Sequence, residues 1–255
     1  MPMTADGSGS TTTDPPRDTA TFFNDFAELY DRFTRGLDAP EHPINRWLAQ
    51  RLESGRRALD VGCGAGRYSV MLADRFDEVV GVDLAPAMIE IAERDRSRPN
   101  IRYEIRDILD MTPEQDGYFD LVLVLSCVMH VGPPGLLLKH LRRLVAEGGM
   151  LLLVDTVWQP EWGSPDWQAD FAFRTARAAW DATGDLEDVM AALQFVLSPT
   201  LCEIAGNISV PSTRDDFLRE CSAALPGVTI DDSDLLGVEV FAVCWHAGKA
   251  ATSEV

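Results

Sequence analysis

Three glycines at alternate positions, Gly62, Gly64 and Gly66, follow the short apolar run Ala58-Leu59-Asp60-Val61, and their spacing implies a ligand. Without a Cβ, glycine lets the backbone turn sharply and lets a bound molecule lie against peptide groups. A second apolar run, Glu78 to Asp83, ends in a carboxylate nineteen residues after Gly64. Such a carboxylate can accept hydrogen bonds from the two vicinal hydroxyls of a ribose, as in nucleotide-binding βαβ units. It can equally cap the helix that begins near Pro86, because Asp is a favoured cap residue. A third apolar run, Tyr118 to Leu125, leads to Ser126, Cys127 and His130. The His130 imidazole can accept a proton from a hydroxyl or amine, or hold a phenol in place. Its structural alternative is to pack under the loop and bond a backbone carbonyl.

The glycine spacing separates the nucleotide binders. A dinucleotide fingerprint, Gly-x-Gly-x-x-Gly, would need glycine at Arg67 or at Ser69, and a P-loop would need Gly-x-x-x-x-Gly-Lys-Ser/Thr, which is absent. Neither pattern is complete.

The elements that hold these residues alternate between two periods. Ala58–Val61 is short enough for a buried strand, and Arg67 to Phe76 carries Tyr68, Met71, Leu72 and Phe76 at helical spacing. Met88, Ile89, Ile91 and Ala92 make the next helix amphipathic, and Pro99-Asn100 precedes a strand over Ile101 to Ile105 that leads to Asp107, with Asp110 close by. Tyr118 to Leu125 reads as a central parallel strand covered on both faces. A helix from Gly135 to Val145 follows, with Gly148 or Gly149 as its left-handed stop and Met150 to Val154 as the fifth strand. Five strand–helix alternations require a parallel sheet with helices on both faces.

Either side of this core the rhythm differs. Met1 to Ala20 reads as a disordered leader, and residues 21–54 as N-terminal helices, with Phe22, Phe23, Phe26, Leu29, Tyr30 and Phe33 on one face and a second helix over Pro43 to Leu52. That face either packs on the domain or closes over a ligand. Residues 156–211 form an aromatic insertion with helices near Asp166–Thr183 and Leu186–Phe195; its Trp158, Trp162, Trp167, Phe171, Phe173, Trp180 and Phe195 cover a substrate, pack on the sheet or meet a second copy in a homodimer. A capped helix over Ser212 to Ala224 and strands at Val228–Ile230 and Gly237–Trp245 close a single domain of residues 21–246, and 247–255 reads as a flexible tail.

Bulk properties narrow the partners. With 255 residues, 41 acidic against 22 basic side chains and a net charge of -19, the chain suits one α/β domain, and its charge opposes nucleic-acid binding. Five scattered cysteines without a Cys-x-x-Cys pair suggest neither a disulfide framework nor a zinc site and fit a reducing cytoplasm. No membrane-length apolar run occurs.

The stretch Asp60-Val-Gly-Cys-Gly-Ala-Gly66 resembles the first motif of the class I S-adenosylmethionine (SAM)-dependent methyltransferases, of the small-molecule, natural-product type. The resemblance covers about Phe22 to Trp245, with its specific motifs between Asp60 and Asp155. It implies a Rossmann-like seven-stranded sheet, mostly parallel with an antiparallel last strand, helices on both faces, an N-terminal helical lid and an insertion after the fifth strand. It further implies that Asp60, Gly62, Cys63, Gly64 and Gly66 surround the methionine part of SAM, and that Asp83 with Leu84 meets its ribose. Asp107 and Ile108 would take the adenine, Ser126 and Cys127 the amine, and Tyr30 would approach the cofactor from the lid. His130 becomes the candidate catalytic residue.

The implied reaction is methyl transfer to an oxygen, nitrogen or carbon nucleophile of a small, aromatic or largely apolar secondary metabolite in the cytoplasm, leaving S-adenosylhomocysteine (SAH). No metal is implied; Asp155 is the residue a cation site would use, without a partner motif. The competing expectations are a SAM-fold protein used for binding, regulation or non-methyl chemistry, and an NAD-dependent oxidoreductase.

Overall fold

A computed structural model describes residues 18–156, 164–199, 214–231 and 240–248. Strands β1 (Gly55–Val61), β2 (Phe76–Asp83), β3 (Ile101–Ile105), β4 (Phe119–Leu125), β5 (Val145–Thr156), β6 (Thr229–Asp231) and β7 (Val240–His246) form one sheet in the order β3-β2-β1-β4-β5-β7-β6. The first five are parallel, and β7 runs antiparallel to both β5 and β6. The sequence therefore yields the expected seven-stranded methyltransferase-type sheet.

Side-chain alternation along each strand divides the core in two. Leu59, Val61, Val122, Val124, Leu151 and Leu153 face α8 (Pro134–Leu144) and α11 (Arg214–Ala224), through Leu137, Leu138, Leu141, Phe217 and Cys221. Ala58, Leu121, Leu123, Leu152 and Val154 face α3 (Pro43–Ala49) and α4 (Arg67–Ala73), through Ile44, Trp47, Leu48 and Leu72. Central strands must be apolar on both faces, which is why β4 reads as a nearly unbroken apolar run.

Strand order reverses at β1, between β2 and β4, and a crevice opens there beyond the carboxyl ends of the strands. Four connections reach it: the glycine turn between β1 and α4, the link from β2 to α5 (Pro86–Asp95), the segment that follows β3, and the segment joining β4 to the one-turn helix α7 (Val128–Val131).

Several boundaries differ from the sequence expectation. The N-terminal aromatic helix begins at Asp18, inside the expected leader, and is two helices, α1 (Asp18–Asp25) and α2 (Ala27–Phe33), because Phe26 between them has non-helical φ -112 and ψ 16. Residues 1–17 lie outside the described residues, as do Trp158, Trp162 and the expected cap at Ser212. α8 ends at Leu144, not at the glycine pair, since Val145 already pairs with Phe119 as the first residue of β5. Gly148, at φ +77, instead sits within β5 at the irregularity where the register with β4 shifts.

The insertion forms α9 (Pro165–Thr183) and α10 (Leu186–Val196), each capped at its start by the side chain of Ser164 or Asp185. α10 covers the aromatic face of the N-terminal helices: Phe195 stacks on Phe33 at 4.6 Å and lies 5.7 Å from Phe22. Arg32 of α2 and Arg35 of the 3-10 turn after it (Thr34–Asp38) both pair with the buried Asp188 of α10. Trp180 and Phe173 of α9 stand in solvent. Of the insertion aromatics, Phe195 and Phe171 therefore pack with the N-terminal helices.

Candidate functional site

The crevice is a cavity of about 340 Å³, walled by Gly62, Gly64, Asp83, Leu84, Met88, Asp107, Ile108, Ser126, Cys127 and His130, with Phe23 and Tyr30 reaching in from α1 and α2. These parts of the chain meet only because β1, β2, β3 and β4 end at the same edge.

The glycine turn is built from left-handed residues. Gly62 has φ +64 and Gly64 φ +51. A Cβ at Gly62 would lie 2.6 Å from the Cys127 sulfur, so the turn presses against the β4 loop, whereas a Cβ at Gly64 would meet nothing within 4 Å. Gly64 thus leaves room for a ligand against its backbone. A Cβ at Gly66 would collide with the Tyr103 hydroxyl, which places Gly66 behind the turn and away from the cavity.

Asp83 accepts hydrogen bonds from two backbone amides. Its Oδ1 accepts the Ala85 N–H at 2.9 Å at the start of α5, and its Oδ2 accepts the Gly64 N–H at 2.9 Å. Burial pushes its carboxyl up, and the Ala85 and Gly64 amides oppose that. Each oxygen keeps a second lone pair, and the residue lies on the cavity wall. Asp107 accepts the Leu109 N–H at 2.9 Å and starts the 3-10 turn Ile108–Asp110; Asp110 is absent from the cavity wall.

Asp60 and Cys63 lie behind the turn with Gly66. Asp60, 2 % exposed, accepts a 2.6 Å hydrogen bond from Ser69, and burial pushes its carboxyl up to about 6. Cys63 is buried and its N–H bonds to the Val82 carbonyl. These three lie beneath the turn and are absent from the cavity wall. Position in a motif does not say which side of a turn a side chain takes.

On the β4 loop that the turn presses against, Ser126 is strained, the one described non-glycine residue with positive φ, at +50. His130 stands edge-on to Phe23 at 5.3 Å, and its Nδ1 is buried without a hydrogen-bond partner among the described residues. Burial pushes the imidazole down to about 4, so the ring is neutral at physiological pH. The alternative reading required a side-chain bond to a carbonyl, and Nδ1 makes none. Burial, above the effects of neighbouring charges, pushes the Tyr30 hydroxyl up to about 12, which keeps it a donor.

The cavity is negative. Asp83 and Asp107 are on its wall, while its arginine, Arg106, is ion-paired with Asp116 at 2.5 Å and with Glu104 at 3.4 Å. The Cys127 thiol is pushed well up, first by burial and then by Asp83, Asp155, Asp60 and Asp107. No group of three or more His, Cys, Asp or Glu side chains among the described residues is placed to hold a metal ion. The Asp155 carboxylate, the candidate cation ligand, accepts the Val128 N–H at 2.7 Å and the Thr156 N–H at 2.8 Å.

Sequence reasoning missed Phe23, Met88 and Arg106 as wall residues. It also missed the bond network beneath the N-terminal helices. There the buried Asp31 pairs with Arg67 at 3.3 Å and Arg96 at 2.9 Å, and Arg96 donates to the Ala65 carbonyl at 3.0 Å. An acidic residue in a helix beside the glycine motif is the available signal, and it is weak.

Residues 59–153 match the methyltransferase domain family. A ubiquinone biosynthesis O-methyltransferase of Xanthomonas oryzae pv. oryzae is 33% identical over 137 residues, 50% of this chain and 57% of that protein. The chain thus spans a little over half the length of the curated relatives it matches. Among solved structures, the DhpI–SAH complex aligns with a TM-score of 0.59 at 18% identity, covering 90% of this chain and 96% of that one. The magnesium protoporphyrin IX methyltransferase of Synechocystis with bound SAH gives 0.57 at 16%, covering 91% and 99%. Residues 59–153, which carry most of the crevice wall, thus match the methyltransferase domain family, and the whole sheet has the fold of these SAH-bound methyltransferase structures.

Proposed function

We propose that the protein transfers the methyl group of SAM to a nucleophile of a small, largely apolar, aromatic metabolite, releasing SAH. The observation that carries this reading is the joining, in one negative cavity, of an open glycine turn and Asp83 with Phe23, Tyr30 and His130. SAM supplies an already activated sulfonium methyl. Its positive charge suits a cavity bearing Asp83 and Asp107, its backbone fits beside Gly64, and its ribose hydroxyls match the spare lone pairs of Asp83.

The residues of this chain then act by placement. Near-attack alignment of nucleophile and methyl is the main contribution such a site makes. The neutral His130 ring, on the cavity wall, accepts a hydrogen bond from the acceptor's O–H or N–H and takes its proton as the nucleophile acidifies. α1 and α2 serve as the lid, with Phe23 supplying an aromatic edge. The pairing of Arg106 leaves no free cation on the described wall for an anionic acceptor, which supports a neutral one.

The O-methyltransferase names of the relatives make oxygen the first nucleophile to test. Those relatives serve ubiquinone biosynthesis, a primary pathway, so the assignment to secondary metabolism rests on the apolar cavity. A cytoplasmic location is supported by the scattered thiols, and no described helix is long and apolar enough to cross a membrane. The net charge of -19 supports a small-molecule partner over nucleic acid, and the exposed Phe173 and Trp180 support a homodimer.

Calorimetric titration with SAH and, separately, with NAD, on the wild type and Asp83→Ala, tests the cofactor. SAH binding that weakens in the variant, followed by SAH release with phenolic acceptors, is expected. Binding of NAD alone would end the reading; SAH binding without turnover on any acceptor would favour a binding or regulatory role.

A further inference from the structure

The β4-to-α7 segment carries four cavity-wall residues, Ser126, Cys127, His130 and Val131. At its far end α7 stops at Gly132, whose φ is +133. Its near end is fixed by β5. The Ser126 N–H bonds to the Val154 carbonyl at 2.9 Å, and the next N–H but one, that of Val128, bonds to the Asp155 carboxylate at 2.7 Å. Both Asp155 and Val128 are 2 % exposed, so this charge-assisted bond is shielded from water. The other Asp155 oxygen accepts the Thr156 N–H, which fixes the carboxylate's rotation. His130 follows Val128 by two residues within the single turn of α7, and its own N–H bonds back to the Cys127 carbonyl at 2.9 Å.

From this geometry we infer that Asp155 is a positioning residue: by holding the Val128 N–H it aims the His130 imidazole, and with it the strained Ser126, into the cavity. The inference rests on the proposed role of His130. A buried carboxylate bonded to two backbone amides at the end of β5 is accounted for by this task, and replacing its charge loosens the turn that carries the imidazole. Misplacement of a reacting group by about 1 Å costs on the order of a hundredfold in rate.

The test compares wild type, Asp155→Asn, His130→Ala and the double variant. Asp155→Asn is expected to lower kcat about ten- to a hundredfold while SAH affinity by calorimetry changes less than about threefold, and the double variant is expected to be no slower than His130→Ala alone. Multiplying losses in the double variant would overturn the inference while leaving His130 in place. A fully active His130→Ala would remove His130 from the chemistry and overturn the inference with it.

An arm independent of turnover uses the ligand-free protein. The NMR signal of the His130 ring carbon and its proton is expected to shift in Asp155→Asn but not in Leu48→Ala, a core truncation on the other face of the sheet. An unmoved signal would overturn the inference, even if the methyl-transfer reading itself fails. Should Asp155→Asn not fold, Asp155→Ser, which keeps one acceptor at shorter reach, replaces it in both arms with the same expected outcomes.

Discussion

The Asp83 carboxylate reaches from the end of β2 to the Gly64 amide at 2.9 Å, so the residue proposed to meet a ribose also fixes the turn that the ligand lies on. Removing it affects two things at once. Asp83→Ala is expected to weaken SAH binding at least tenfold and, by stranding the Gly64 and Ala85 amides, to lower stability by about 1–3 kcal/mol. Calorimetry and urea denaturation on the same preparations separate the two effects. Unchanged stability would show that the turn holds its shape without the carboxylate.

Substitutions at Gly64 and Gly62 should differ in kind. At Gly64 a methyl group points into open space, so Gly64→Ala is expected to cost about 1–2 kcal/mol of backbone strain but to obstruct SAH severely. At Gly62 the methyl meets the Cys127 sulfur at 2.6 Å, and the loss should fall mainly on folding. Equal losses of affinity per unit of destabilisation in the two variants would contradict the placement of the ligand.

Asp60 carries a pH signature. Its folded carboxyl, held up to about 6 by burial, lies above its ordinary value of 3.8, so the unfolded chain ionises first as pH rises. The residue therefore costs stability progressively between those values and fully above them. Asp60→Asn, which can keep the Ser69 bond, should exceed the wild type in stability at pH 7.5 by on the order of 3 kcal/mol and converge with it near pH 4. A difference that stays constant with pH in chemical denaturation would refute the assignment.

His130 has the opposite slope. Its folded value of about 4 lies below the ordinary 6.5, so the unfolded chain binds the proton first as pH falls. Stability from the neutral ring is intact above 6.5 and is lost as pH drops toward 4. The stability advantage of wild type over His130→Gln should shrink across that interval, and kcat should show no inflection from this residue between about pH 5 and 9. An inflection near neutrality that vanishes in the variant would show that the imidazole titrates normally.

Phe195 lies outside the cavity wall but stacks on Phe33 and contacts Tyr30 at 5.3 Å. Phe195→Ala is expected to cost about 3–5 kcal/mol through the void it leaves, and to weaken SAH binding by letting Tyr30 move. Thermal unfolding with and without SAH would report both. Full affinity in a destabilised variant would mean that α1 and α2 keep their place without α10.

The sheet and the glycine turn were legible in the sequence because they depend on local chemistry: apolar runs of strand length, and left-handed residues where a ligand must approach. The exceptions arose from partners distant along the chain. Val145 looked like the end of a helix until its pairing with Phe119 made it strand. Phe26 has an apolar side chain in helical register, yet its backbone leaves the helix and divides the aromatic segment in two. The amide partner of Asp155, Val128, was not legible because it belongs to a different strand's loop. Asp60, Cys63 and Gly66 share the motif with Gly62 and Gly64 but face the other way, toward Ser69, Val82 and Tyr103.

Asp31 sits on α2, while its guanidinium partners follow the glycine turn and α5. Swinging α2 outward would withdraw the carboxylate from this pairing and leave two part-buried arginines facing each other, a penalty of about 3–5 kcal/mol for a broken buried pair. The chamber roof is therefore in place before any molecule enters. Association then draws on a preorganised enclosure, with the ordering entropy of the N-terminal helices already spent during folding and not charged against affinity.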